Sequence, residues 1–174
     1  MPADVAVRAS AVRVLVLDVD GVLTDGRIIY ADEGDELKHF DVQDGAALVF
    51  WHRLGLKSAI ISGRKSRLVK RRAKEMRVDA VIQGKLQKRA AYEQVLKRFR
   101  AQPDEVCVIA DDLMELPMLR RSGLAVAVPG AAPEVKAVSH YVTSRPGGAG
   151  AVREVVELIL KAKGLWDEIL KRYE

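Results

Sequence analysis

The sequence predicts an α/β fold, a doubly wound parallel sheet sandwiched by helices. Three observations predict it. Short apolar runs alternate with amphipathic stretches of helical period along most of the 174 residues, the pattern of strands buried on both faces and joined by crossover helices. Three of those runs end in chemistry-bearing residues, Asp18, Ser62 and Asp111, and ligands of open parallel sheets bind at the carboxyl ends of the strands. The composition is 49% hydrophobic, 30% charged and only 5% aromatic, which describes a globular chain with an aliphatic core.

Val14-Leu15-Val16-Leu17 is the centre of a first buried strand expected over 13–18. Arg27-Ile28-Ile29-Tyr30, a polar turn at 31–35 and Glu36-Leu37-Lys38-His39-Phe40 read as a β-hairpin flap directly after it. His39 receives no role, because a lone histidine on a hairpin is more often structural or exposed. Further strands are expected over 57–61, 79–82, 106–110 and 124–128, and helices over 45–54, 65–77, 86–100, 113–121 and 150–162. Right-handed crossovers between parallel strands wind such a chain into the sandwich. No repeat, low-complexity tract or linker divides it, so residues 1–174 are expected to form one domain, long enough for a substantial core.

Composition narrows the function classes. No apolar stretch is long enough to span a bilayer, and the first ten residues lack a signal-peptide core. The single cysteine, Cys107, lies in an apolar run and reads as a small hydrophobe. The expected compartment is the cytoplasm. The net charge is +5, and Lys65, Arg67, Lys70, Arg71, Arg72, Lys74 and Arg77 cluster on one expected helix. A solvated helix face comes first, an electrostatic funnel for an anionic substrate second. Nucleic-acid binding comes third, because no interleaved aromatics or recognition motif accompany the basic run.

The strand ends carry the chemistry. Asp18 and Asp20 flank Val19 and would share one side of a regular strand. Two carboxylates at the end of a buried strand want a cation or a proton-transfer task. A Mg²⁺ ion with a phosphorylated substrate would suit them. Ser62 precedes Gly63 at a helix start, where a hydroxyl and nearby N–H groups suit phosphate oxygens. Lys85 and Lys88 follow Gln83-Gly84 and open the next helix. Asp111, Asp112 and Glu115 follow the apolar run ending at Ala110.

The string Asp18-Val19-Asp20-Gly21-Val22-Leu23-Thr24-Asp25-Gly26 resembles the first motif of the haloacid dehalogenase superfamily, Asp-x-Asp-x-Thr/Val. Its longer match is to the small, capless branch that hydrolyses sugar-acid phosphates, and the resemblance runs from about Val12 to Trp166. It implies that Asp18 is the nucleophile, forming an aspartyl-phosphate, and that Asp20 is the general acid and base. Mg²⁺ is implied between the Asp18 carboxylate, the Asp20 main-chain carbonyl and Asp111. Ser62 and Lys88 would bind the phosphoryl group, with Lys85 a nearby competitor. Asp112 and Glu115 would support the metal site.

The chain departs from the family pattern at Gln87, Ala110 and Glu115, where Asp or Asn, Gly and Asp are usual. Ala149 stands where an Arg is common in the glycine-rich segment before Ala151-Val152-Arg153-Glu154. Arg64, two residues after Ser62, could meet the substrate carboxylate, with an ion pair to a neighbouring Glu or simple exposure as the other readings. The arginine favours the eight-carbon substrate, 3-deoxy-D-manno-octulosonate 8-phosphate, over a nine-carbon sugar-acid phosphate. The resemblance further implies a homotetramer whose neighbours help enclose the site. A non-catalytic sugar-phosphate binder is the alternative supported by the departures. A signalling receiver domain is the rival from another class, but receivers carry an adjacent acidic pair on the first strand, whereas Val19 separates Asp18 from Asp20.

Overall fold

The structure is a computed structural model describing residues 2–32 and 34–174. Helix α1 (Ala3–Ala11) leads into β1 (Val14–Leu17). The hairpin β2 (Ile29–Tyr30) and β3 (Glu36–Leu37) follows, then α2 (Val42–Arg53), β4 (Lys57–Ser62), α3 (Arg67–Glu75), β5 (Ala80–Gln83) and α4 (Lys88–Phe99). The rest is β6 (Val106–Ala110), α5 (Leu116–Leu119), β7 (Leu124–Ala127), α6 (Pro133–Val138), β8 (Tyr141–Val142), α7 (Ala151–Ala162) and α8 (Trp166–Leu170).

Six strands form one parallel sheet in the order β5-β4-β1-β6-β7-β8. The chain builds outward from β1 through β4 to β5, then crosses back and builds outward the other way through β6, β7 and β8. The strand order therefore reverses beside β1, the position at which open α/β sheets leave a ligand crevice. Leu17 lies opposite Ile60 and Ile109, so β1, β4 and β6 end almost level and present their following residues together. Every residue of β1, β6 and β7 is buried, as the continuous apolar runs require. Helices α1, α2, α7 and α8 pack on one another, as do α4, α5 and α6.

The five expected strands are present; β8 is an unanticipated two-residue addition at the sheet edge. Helices α1, α6 and α8 are also additions. The helix expected over 113–121 is broken into a 3₁₀ turn, Leu113–Glu115, and the short α5. Pro117 lacks an N–H and is accommodated in the first turn of α5. Helix α2 starts earlier than expected because the Asp41 carboxylate accepts the Asp44 N–H at 3.0 Å, an N-cap. The expected hairpin turn at 31–35 includes Glu33, which lies outside the described residues; the Ala31 N–H donates to the Asp35 carbonyl across it at 2.8 Å.

Two features shape the strand-end loop. Strand β1 stops at Leu17, and the Val19 carbonyl accepts N–H bonds from Val22, Leu23 and Thr24 at 3.3, 2.9 and 3.1 Å. The chain thus coils immediately, and Asp18 and Asp20 turn to different partners instead of sharing a strand face. The glycine-rich segment is wedged beneath this coil: the Gly148 N–H donates to the Val22 carbonyl at 2.9 Å, and a Cβ at Gly147 would collide with the Gly21 carbonyl. Buried Asp44 ties the same segment down by accepting the N–H groups of Gly150 and Arg153 at 3.3 and 2.8 Å.

Candidate active site

The cavity at the switch point has a volume of about 240 Å³ and is lined by residues that include Asp18, Asp20, Ser62, Lys88, Asp111 and Glu115. Each arrives by a simple local route. Asp18 and Asp111 directly follow β1 and β6, Ser62 ends β4, and Lys88 opens α4. Gly21, at φ +90°, lies against the Asp111 carboxylate, and any Cβ there would occupy the carboxylate's place.

Lys88 is the hub. Its side chain is 2% exposed, and its Nζ donates to Asp18 Oδ1 at 2.5 Å and pairs with Glu115 Oε1. Lys85 is exposed, so of the two lysines it is Lys88 that reaches Asp18 and Glu115. Burial alone would lower the Lys88 pKa, but the charges of Asp18 and Glu115 outweigh it and hold it above the usual lysine value. Burial pushes the Asp18 carboxyl up, against the pull of Lys88. Burial, and then the charges of Asp18, Glu115 and Asp112, push Asp111 up to about 7.

Glu115 is the instructive departure. In the 3₁₀ turn its Oε2 accepts the Asp112 N–H at 3.0 Å, closing a capping box that leaves Oε1 for Lys88. The longer side chain is thereby fully used and 1% exposed. Ala110 is buried, and the only described non-glycine residues at positive φ are Arg77 and Arg100, so an alanine fits that backbone. Asp112 is exposed and caps the turn through the Leu113 N–H at 2.8 Å. Gln87 precedes α4 without a side-chain cap.

The set that converges differs from the expected one in a single member. Asp18, Asp111 and Glu115 each place a carboxylate oxygen within 4.8 Å of the others. The Asp20 carboxylate is instead held at the cavity's other side, with Oδ1 2.5 Å from Lys38 Nζ and Oδ2 3.7 Å from Arg64 Nη1. The resemblance gives the metal the Asp20 main-chain carbonyl, and a side chain turned to Lys38 and Arg64 is compatible with that. Arg64 Nη2 donates to Glu36 at 2.6 Å, while its Nη1 is buried without a hydrogen-bond partner. Ser62 is 3% exposed and its Oγ accepts the Arg64 N–H at 3.3 Å.

Lys38 and Glu36 were missed from the sequence. Their spacing of two on an extended hairpin arm, which aims both side chains one way, was the available signal. His39 is exposed.

Three carboxylates around one lysine, at the switch point of a parallel sheet, suit a hard divalent cation and an anionic ester. Fold and site define the class, a phosphohydrolase of the doubly wound type. The haloacid dehalogenase-like hydrolase family matches residues 72–154. The 3-deoxy-D-manno-octulosonate 8-phosphate phosphatase of Yersinia pestis is 42% identical over 92% of this chain and 86% of its own length. The enzyme of that name from Escherichia coli K12 is 41% identical over 95% and 88%. The crystal structure of the Moraxella catarrhalis phosphatase of that name, in complex with a magnesium ion, a phosphate ion and a KDO molecule, superposes with a TM-score of 0.97 at 40% identity over all of both chains. The chain belongs to the haloacid dehalogenase-like hydrolases, in the branch of these sugar-acid phosphate phosphatases.

Proposed function

We propose that this protein hydrolyses 3-deoxy-D-manno-octulosonate 8-phosphate to the free sugar acid and phosphate, with Mg²⁺ as cofactor. The observation that carries the reading is the buried Lys88 between Asp18 and Glu115, with Asp111 beside them in one cavity. A purely structural cluster would balance its charges. Here three carboxylates face one ammonium, and Asp111 is held up to about 7 by burial and then by its anionic neighbours.

Asp18, Asp111 and the Asp20 main-chain carbonyl would hold the metal, with Glu115 beside them. When bound, the cation screens the repulsion between an anionic nucleophile and an anionic ester. Asp18 attacks the phosphorus, and the P–O bond to the sugar breaks as a carboxylate–phosphorus bond forms. Asp20 gives its proton to the departing sugar oxygen. It then takes a proton from the water that attacks the aspartyl-phosphate, and is reset. Lys88 and Ser62 hold the phosphoryl oxygens through the exchange. Arg64, whose Nη1 lies 3.7 Å from Asp20 Oδ2 and makes no hydrogen bond, meets the substrate carboxylate.

The test is phosphate release from a panel of eight- and nine-carbon sugar-acid phosphates and simple sugar phosphates, with and without Mg²⁺. Release fastest from the eight-carbon ester, and only with the cation, is the expected result. A preference for the nine-carbon ester moves the specificity, and no release from any ester makes the protein a binder.

The 174 residues are read as one catalytic domain working in the cytoplasm, a compartment that suits the lone buried thiol of Cys107. Among the described residues no helix is long and apolar enough to cross a membrane. The chain is further read as a homotetramer. Ile28, Tyr30 and Leu37 of the hairpin are 49%, 69% and 51% exposed, apolar surface that a neighbouring subunit would cover. Light scattering at micromolar concentration should return four times the chain mass; a monomer with full activity would make the hairpin alone a sufficient lid.

A further inference from the structure

The hairpin sends Glu36 and Lys38 toward the loops that follow β1 and β4. The Lys38 side chain is 2% exposed, and its Nζ contacts Asp20 Oδ1 at 2.5 Å and Glu36 Oε1 at 3.3 Å. Glu36 in turn holds Arg64 at 2.6 Å, and Arg64 faces Asp20 Oδ2 at 3.7 Å. Two cations and two anions thus form a closed ring joining the hairpin, the loop after β1 and the loop after β4. Burying an ammonium is costly unless it is paired, and nothing about hairpin folding alone requires a lysine here.

We propose that Lys38 is the positioning residue of the acid–base carboxylate: the hairpin fixes Asp20 through Oδ1, so that Oδ2 is the atom that exchanges protons with substrate and water. The proposal rests on the phosphatase reading of the cavity. An ammonium group only donates hydrogen bonds, so the oxygen on Lys38 is committed as an acceptor. The proton therefore travels on Oδ2, in the cavity that Asp20 and Arg64 both line. In the first step that proton passes from Oδ2 to the sugar oxygen while the sugar O–P bond breaks and the Asp18 O–P bond forms. Glu36 steadies Lys38 and Arg64 together, so the hairpin sets the acid and the substrate-facing arginine as one unit.

A leaving-group comparison tests this. A sugar alkoxide needs a proton to depart, whereas 4-nitrophenolate is a stable anion and does not. With enzyme in excess and Mg²⁺ present, single-turnover release is measured from the sugar-acid phosphate and from 4-nitrophenyl phosphate. Lys38→Met should slow release of the sugar acid on the order of 10²-fold, the scale of general-acid catalysis, and release of 4-nitrophenolate by less than about threefold. Lys38→Arg, which keeps a cation, should recover part of the sugar-ester rate. Equal losses on both esters, or no loss on either, overturn the proposal. Circular dichroism checks folding, and if the methionine variant does not fold, Lys38→Gln carries the same comparison. Failure of the phosphatase reading itself is distinct, because the unsubstituted protein would then cleave neither ester.

Discussion

Strand β4 carries a serine at each end, and the two ends of the sheet treat them differently. At the amino end, the Ser58 Oγ lies 3.0 Å from His52 Nε2, and His52 Nδ1 lies 3.3 Å from Asp79 Oδ2. Asp79 also accepts the Ser58 N–H at 3.0 Å and the Lys57 ammonium at 3.1 Å. By residue type this is a serine–histidine–aspartate relay. Yet Ser58 is fully buried, and its neighbours are engaged with one another. At the carboxyl end, Ser62 opens into a cavity where carboxylates outnumber cations. Residue identity is similar at the two ends; what differs is whether the charges are balanced and whether a ligand can reach them. Uncompensated charge beside a cavity marks function, and a saturated cluster marks structure.

The strongest way to break that contrast is to remove one group from each end. Asp18→Asn should lower turnover on the order of 10⁴-fold or more, since an amide is a poor nucleophile. Ser58→Ala should leave turnover within about twofold and cost about 1 kcal/mol of stability through the lost hydrogen bond. Steady-state kinetics with thermal denaturation reads both. A Ser58 variant as inactive as the Asp18 variant would erase the distinction.

The cation provides the next largest effect. Chelation should abolish phosphate release, and adding Mg²⁺ to the metal-free protein should raise its melting temperature, because a ligand that binds only the folded state stabilises it. Asp111→Ala should remove most of that rise. An unchanged melting response in this variant would take Asp111 out of the metal site.

A smaller effect of opposite sign sharpens the comparison. In metal-free protein, Asp111→Asn should raise the melting temperature by relieving repulsion from Asp18, Glu115 and Asp112. Asp79→Asn should lower stability by about 1–2 kcal/mol, since it weakens bonds already made. Calorimetry of the two variants checks the signs.

The subtlest prediction is in pH. Asp111 titrates at about 7 when folded against 3.8 when unperturbed. The unfolded chain therefore ionises first, and stability falls as pH rises from about 4 to about 7. Burial lowers the His52 pKa below 6.5. The unfolded chain therefore protonates first, and stability falls as pH drops through 6.5 toward the folded value. In melting curves across this range without metal, Asp111→Asn should flatten the rise-side loss and His52→Gln the acid-side loss.

The strands were legible because a strand buried on both faces writes itself as an unbroken apolar run, as in Val14–Leu17 and Val106–Ala110. The two residues of β8 are too few to show a period, and the Leu113–Leu119 break depends on a capping box and a proline that resemble a continuous helix in outline. The family motifs led to Asp18, Ser62, Lys88 and Asp111, which the fold brings to one cavity. They did not lead to Lys38, because its partner Asp20 is 18 residues away. The divergence of Asp18 and Asp20 was illegible for a related reason: the helical coil after Leu17 depends on the Val19 carbonyl taking three N–H groups, and that geometry has no sequence period.

The wedge formed by Gly147 and Gly148 also bears on the order in which the molecule is made. All the side chains that converge in the cavity have left the ribosome once residue 115 has emerged. The backbone that props the Gly21–Val22 coil arrives some thirty residues later, at Gly147–Gly148, and Asp44 waits for Gly150 and Arg153 to complete its bonds. A nascent chain therefore holds this set of reactive groups on an unbraced loop until residues 147–153 have been made. That segment braces the site without lining its cavity.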